Sequence, residues 1–354
     1  MLKDLLLKDF KPRTALVTED HTPRRARFPV VDVHNHLGLW PDEEWFQGVY
    51  IGGGWAIKDV AATVALMDEM NVGSVNNLDG GWGDQLKRNL ERYKEPYPDR
   101  FTVFAWTEWG EAETPNFGEK WAKELERSVR AGAQGMKVFK TLGLNYRDKA
   151  GKLLKVDDPR FDPVWAMAGE LGIPILIHSS DPVAFFEPLD ETNERWDELH
   201  EHPDWHFYGK DYPQFIEPIE AQLRVVARHP KTNFISAHVL SYAENLRWVS
   251  AALDKYPNLY VDIGERIGEL GRQPYTARAF LIKYADRVLF GTDIPSNRPT
   301  YEIYFRCLET MDEYFDYGRM QGRYRIYGLN LPEDVLQKIY NKNACKLIPG
   351  LKVK

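Results

Sequence analysis

With 354 residues and a 43% hydrophobic composition, the chain can bury one large core or two ordinary ones. Its formal net charge of −7, with Lys and Arg scattered among Asp and Glu, supplies no basic stripe and argues against a nucleic-acid partner. Only Cys307 and Cys345 occur, without a CxxC spacing, which argues against a disulfide scaffold or a thiolate zinc site, so any metal must use nitrogen and oxygen ligands.

The first ten residues interrupt a short leucine run with Lys3, Asp4, Lys8 and Asp9, too charged for a signal-peptide core. No apolar stretch approaches the roughly 20 residues of a membrane span, so a soluble, cytoplasmic protein without a membrane partner is expected. Residues 1–29, with Pro12, Pro23, Arg24, Arg25 and Arg27, read as an N-terminal arm, either laid over the domain or a neighbouring subunit or simply solvated. Residues 30–354 then form a single domain, and homo-oligomerisation is left open.

From Val30 onward, short apolar runs alternate with helical patterns about eight times. Strands are predicted at 30–34, 72–77, 101–106, 134–139, 173–178, 233–238, 258–263 and 287–292, each rich in Val, Ile, Phe or Ala and ending in polar residues. Helices are predicted at 58–70, 118–131, 161–171, 214–228, 243–255 and 275–285. The alternation favours a closed parallel barrel over a doubly wound open sheet, which would give the same pattern. Segment 181–213, dense in aromatics and charges, follows the fifth strand and reads as a lid-like insertion over the face where barrel loops gather, or else as a packed surface excursion. Residues 312–354 read as a C-terminal helical extension that seals the outer layer of the barrel.

Four of the nine histidines stand at or just beyond strand ends: His34, His36, His178 and His238, with Asp293 closing the last strand. Each alone is more simply a hydrogen-bonded structural residue. Together they are a ligand set, because strand residues two apart share a face and the strand ends of a barrel converge on one mouth. Asp32 is expected on the same face, one step deeper. Imidazole and carboxylate ligands suit Zn²⁺, and Mn²⁺, Fe²⁺ or Co²⁺ would accept the same donors. Asp79, Trp106, Glu108, Glu265 and Arg266 also follow strands, where a substrate would sit. Arg266 could fix a substrate carboxylate by two parallel hydrogen bonds, or pair with Glu265 or Asp262. Arg195 and Trp196 could close from the lid over a ring or acyl group, or form the lid's own core. His21 and His229 read as solvated, and so do His200, His202 and His206 unless the lid uses them.

DVHNH at 32–36, GMKVFK at 135–140, ILIH at 175–178, SAH at 236–238, FGTD at 290–293 and IYNKNACKLI at 339–348 resemble the amidohydrolase superfamily, in particular its amidohydrolase-related branch, which also contains metal-dependent decarboxylases. The resemblance implies a (β/α)8 TIM barrel with His34, His36, His178 and Asp293 around a divalent metal, and with His238 on a second ion or on the substrate. It also implies that Lys137 can be carboxylated to bridge two ions. Lys140 competes for that role, and either lysine could instead pair with a carboxylate, so one or two ions remain open. The implied activity is hydrolysis of an amide, lactone or ester in a small, carboxylate-bearing substrate. Asp293 would take the proton of a metal-activated water, and His238 would stabilise the oxyanion. The alternative on the same scaffold is a non-oxidative decarboxylase, a lyase; a barrel that only binds a metal or ligand is the third reading, against which the complete ligand set argues.

Overall fold

The computed structural model describes residues 4–6, 9–37, 57–106, 109–110, 112–319 and 321–353, together with a backbone ribbon of Trp45–Phe46 against Val49–Tyr50. Glu108 lies outside the described residues.

Eight strands pair in parallel and in sequence order: β1 (Val30–Asn35), β2 (Val72–Asn77), β3 (Phe101–Ala105), β4 (Gly135–Val138), β5 (Ile175–Ile177), β6 (Phe234–Ser236), β7 (Leu259–Asp262) and β8 (Val288–Leu289). The ring closes between the first strand and the last. The Val33 N–H donates to the Phe290 carbonyl at 3.0 Å, and the N–H groups of Thr292 and Asp293 donate to the His34 carbonyl at 3.3 and 2.7 Å. The architecture is therefore a (β/α)8 TIM barrel and not an open sheet.

Alternation along the strands divides the core in two. Val72, Phe101, Met136, Ile175, Phe234, Val261 and Val288 pack outward with helix residues such as Leu125, Trp165, Val225 and Leu281. Val31, Val33, Phe104, Leu176, Ile235, Tyr260 and Leu289 form a separate cluster with Ala344, Leu347, Ile348 and Leu351. The C-terminal extension is divided between the two: Val335, Leu336, Ile339 and Tyr340 pack into the outer layer, as expected, and its last residues from Ala344 onward seal the inner cluster. Each of these large apolar side chains contributes about 1.5–3 kcal/mol on full burial.

The outer helices start and stop where local chemistry dictates. Val60–Met70 is capped by the Asp59 carboxylate, which accepts from the Ala62 N–H, and ends at Asn71 with φ of 62°. Phe117–Ala131 ends at Gly132 and Asp162–Leu171 at Gly172, both with positive φ. Ile216–Arg228, Leu246–Lys255 and Pro274–Lys283 follow. Gly83–Asn89, Ile267–Arg272 and Arg298–Glu309 are additional helices. Among the described residues no helix is long and apolar enough to cross a membrane. The arm has no regular structure over 11–23 and is largely exposed. It is tied to its own domain by the His21 N–H on Asp312 at 2.9 Å and the Ala26 N–H on the Met70 carbonyl at 3.0 Å.

Candidate metal centre

His34 and His36, from the end of β1, point their Nε2 atoms at one oxygen. The Asp293 Oδ1 lies 3.1 Å from His34 Nε2 and 3.3 Å from His36 Nε2, and the Asp293 Oδ2 lies 3.5 Å from His238 Nε2. One ligand atom each of His34, His238 and Asp293 lies within 4.8 Å of the others, the spacing of donors around a single ion. The opposite nitrogen of each ring is held by an acceptor. His34 Nδ1 donates to Asp262 at 2.9 Å, His36 Nδ1 to Asp79 at 2.6 Å and His238 Nδ1 to the Gly264 carbonyl at 2.8 Å. In the neutral ring a proton so placed leaves Nε2 bare and aimed inward, the arrangement that ligating histidines adopt.

The backbone that presents these groups is strained. Asp293 has φ of 60°, and His238, Val239, Leu240 and Ser241 run at 59°, 55°, 60° and 52°, a left-handed turn without glycine. Such residues cost roughly 1–2 kcal/mol each and persist only where their surroundings hold them.

His178 stands beside His238, ring centroids 4.3 Å apart and edge-on. Its Nε2, however, lies 3.1 Å from the Ser180 carbonyl and 3.3 Å from Asp181, whose other oxygen takes the Lys140 ammonium at 2.5 Å. Of the two lysines, only Lys137 reaches the cluster, with Nζ 3.1 Å from His34 Nε2. Burial, partly offset by Asp293 and Asp262, brings its pKa down to about 8, which eases formation of the neutral amine that carboxylation needs.

Asp32 does not share the ligand face. Its carboxylate accepts from Asn35 at 2.8 Å, from the Thr292 hydroxyl at 2.6 Å and from Tyr301 of helix Arg298–Glu309 at 3.1 Å. The pairing of β1 with β2 shifts register between Asp32 and Asn35, so strict two-residue alternation fails there.

The electrostatics favour a cation. Burial alone would lower His36, yet Asp79 and Asp293 raise it to about 9. His34 is raised too: burial opposes, and the charges of Asp293 and Asp262 prevail over Lys137. Burial would raise Asp293, but the surrounding histidines hold its carboxyl well below the ordinary range. Burial pushes His178 down to about 4, and burial with the neighbouring His178 and Arg266 pushes His238 well down. A cluster that holds protons this firmly on two rings has the negative charge and the donor atoms for a divalent ion.

Around the mouth, Trp106 is buried edge-on to Trp82 at 4.6 Å and to Phe139 at 6.1 Å, and Phe139 lies 5.8 Å from the His36 ring. Arg266 donates to the Glu265 carbonyl at 2.7 Å, while its buried Nε has no partner among the described residues. Glu265 accepts from Gln321 at 2.7 Å and pairs with Arg319 at 3.1 Å, both from segment 312–327. Arg195 is 1% exposed and bound to Glu198 and Glu269, so its polar contacts lie within the scaffold. Trp196 is 41% exposed and stacks on His200 at 4.7 Å. Sequence reasoning treated Asp262 only as a partner for Arg266. The polar end of LYVD at β7 carries the same signal that found Asp293 at the end of β8.

The family model described as Amidohydrolase matches residues 31–350. A comparison with curated proteins returned no match. Among solved structures, 2,6-dihydroxybenzoate decarboxylase from Rhizobium superposes with a TM-score of 0.57 at 19% identity, over 90% of this chain and 98% of that one. Dihydroxybenzoic acid decarboxylase from Polaromonas, with bound manganese, has a TM-score of 0.58 at 18% identity over 90% and 96%. A probable 2-pyrone-4,6-dicarboxylic acid hydrolase from Acinetobacter baumannii has a TM-score of 0.55 at 11% identity over 90% and 99%. At these identities the likeness is one of fold.

Proposed function

This chain belongs to the amidohydrolase family, and from the convergence on Asp293 we propose that it is a metal-dependent hydrolase acting on an amide, lactone or ester of a small carboxylate-bearing molecule. The observation that carries the reading is that three Nε2 atoms meet both oxygens of one half-buried carboxylate while their Nδ1 atoms are tied back. We assign His34, His36, His178 and Asp293 to a divalent ion, with Lys137 and His238 available to a second. Zn²⁺ suits these donors best, and Mn²⁺ fits the same set. The ion would supply Lewis acidity and make water nucleophilic at neutral pH.

Asp293, ionised at neutral pH, then accepts the proton of the attacking water and returns it to the leaving group. The His238 Nδ1–H donates to the Gly264 carbonyl, which leaves Nε2 of the neutral ring an acceptor. Its part is therefore to bind the ion or carry a proton, and not to donate to an oxyanion as a neutral ring. Arg266, with a buried and unpartnered Nε–H, is the group we assign to the substrate carboxylate. Trp106 and Phe139 wall the mouth on the side of His36.

That same guanidinium favours a second reading. A carboxylate held by Arg266 next to His238 and Asp293 is placed for loss of CO₂, with either residue first taking a proton from water and passing it to the carbon left behind. Metal analysis followed by a screen of lactones, N-acyl compounds and aromatic acids separates the two. A new acid group formed with uptake of water supports hydrolysis, and CO₂ release without it supports decarboxylation. Turnover of none of these by the metal-loaded protein would favour a barrel that only binds. For either reaction Asp293→Asn should keep the fold and lose at least about 100-fold in turnover, since the amide fills the space without taking a proton. Near-normal turnover would reject Asp293 as the proton carrier.

A further inference from the structure

The end of β7 supplies no ligand to the cluster, yet it touches two of the rings that do. Asp262 is fully buried and its oxygens divide their work. Oδ2 accepts the His34 Nδ1–H at 2.9 Å, while Oδ1 accepts the backbone N–H groups of His238 at 3.1 Å and Gly264 at 2.9 Å. Two residues on, the Gly264 carbonyl accepts the His238 Nδ1–H at 2.8 Å. The His238 N–H that Asp262 holds is the first of the four left-handed residues, so the same carboxylate fixes the start of the strained turn. A side chain at residue 264 would crowd this arrangement: a Cβ there would lie 3.1 Å from Asp262 Oδ1 and 3.3 Å from both His34 Nδ1 and the Asp293 Cβ.

We propose that Asp262, together with the Gly264 carbonyl, is the positioning element of the metal centre: it holds His34 and His238 with the proton on Nδ1 and Nε2 turned inward. The inference rests on the reading of this cluster as a metal site. Its physical basis is the choice between two ring nitrogens. An imidazole whose Nδ1–H is committed to an acceptor can offer only Nε2 to an ion, and a partner that donates instead of accepting reverses that choice. Asp262→Asn makes this reversal with little change in shape. The amide oxygen keeps the two backbone N–H groups, which leaves the amide NH₂ facing His34 Nδ1. That nitrogen must then be bare, and the proton moves to Nε2, where it blocks the ion.

The experiment is Zn²⁺ titration of the metal-free wild type and of Asp262→Asn, with thermal melting as a control and ring-nitrogen NMR to locate the histidine protons. Zn²⁺ affinity should fall by about 10–100-fold in the variant, the usual effect of losing an outer partner of a ligating histidine. The metal-free melting temperature should stay within a few degrees, and, at a pH where the ring is neutral, the His34 proton should shift from Nδ1 to Nε2, a change that general loosening of the fold would not produce. Unchanged affinity in the variant, beside a wild type that does bind Zn²⁺, removes the positioning role and leaves the metal reading standing. A wild type that takes up no Zn²⁺ removes the metal reading, and this proposal with it. Should Asp262→Asn fail to fold, NMR of the Zn²⁺-loaded wild type decides: Nδ1 protonated on both His34 and His238 supports the proposal, and a bare Nδ1 on either overturns it.

Discussion

If His36 is a ligand as proposed, this single residue couples charge to metal uptake. Asp79 and Asp293 overcome the burial of its ring and draw its pKa up to about 9. In the metal-free protein the stabilisation from this proton is complete below the ordinary histidine value near 6.5 and is lost as pH rises through about 9. An ion and a proton compete for the same ring, so the apparent affinity for Zn²⁺ should climb from pH 6 to pH 9 and level off above it. Calorimetry in buffers of different ionisation heat should register protons released on binding at pH 7. Affinity independent of pH, with no proton release, would take His36 out of the ligand set. The HxH spacing made His34 and His36 legible as a pair, because two residues span one repeat of a strand. Asp32 obeyed no such rule, since the register of β1 against β2 shifts between Asp32 and Asn35 and its carboxylate meets Thr292 and Tyr301.

Among elements, segment 181–213 is held less like a loose lid than like a packed excursion with charged clasps. Phe185, Phe186, Leu199 and Phe207 form its core with Leu144. Arg195 joins it to Glu269 of helix Ile267–Arg272, Arg272 returns to Glu194 at 2.7 Å, and Arg323 reaches Asp197 at 3.0 Å. Burial would lower the Arg195 pKa, but Glu269 and Glu198 raise it well above the ordinary value, so the guanidinium stays charged. Arg195→Ala strands the buried Glu269 charge and should cost about 3–5 kcal/mol, read as a lower denaturation midpoint. Trp196→Ala removes an exposed ring and should change stability by no more than about 0.5 kcal/mol. Equal effects of the two substitutions would contradict this division. The composition of the segment revealed a built insertion. It could not reveal that Arg195 faces Glu269, because the two are 74 residues apart.

For the whole molecule, an ion on the proposed ligand set would tie together β1, β5 and the loop after β8, so its removal should be felt across the fold. Binding at 100 times the dissociation constant stabilises by about 2.7 kcal/mol, which corresponds to several degrees in melting temperature. EDTA added to metal-loaded protein should lower the melting temperature by that amount, and excess Zn²⁺ should restore it; an unchanged melt would place any retained metal elsewhere than in the folded core. The eight strands, most of their connecting helices and the residues at the strand ends were determined by the sequence itself, because apolar periodicity, capping residues and two-residue spacing are local properties of a chain. Only the closed barrel decided that Lys137, not Lys140, meets His34, and that the last helix seals the inner cluster. It also decided that Asp262 turns the ring of His34 from 228 positions away. Those contacts arise when the barrel closes and strand ends remote in sequence come together around one mouth, a distance no local period encodes.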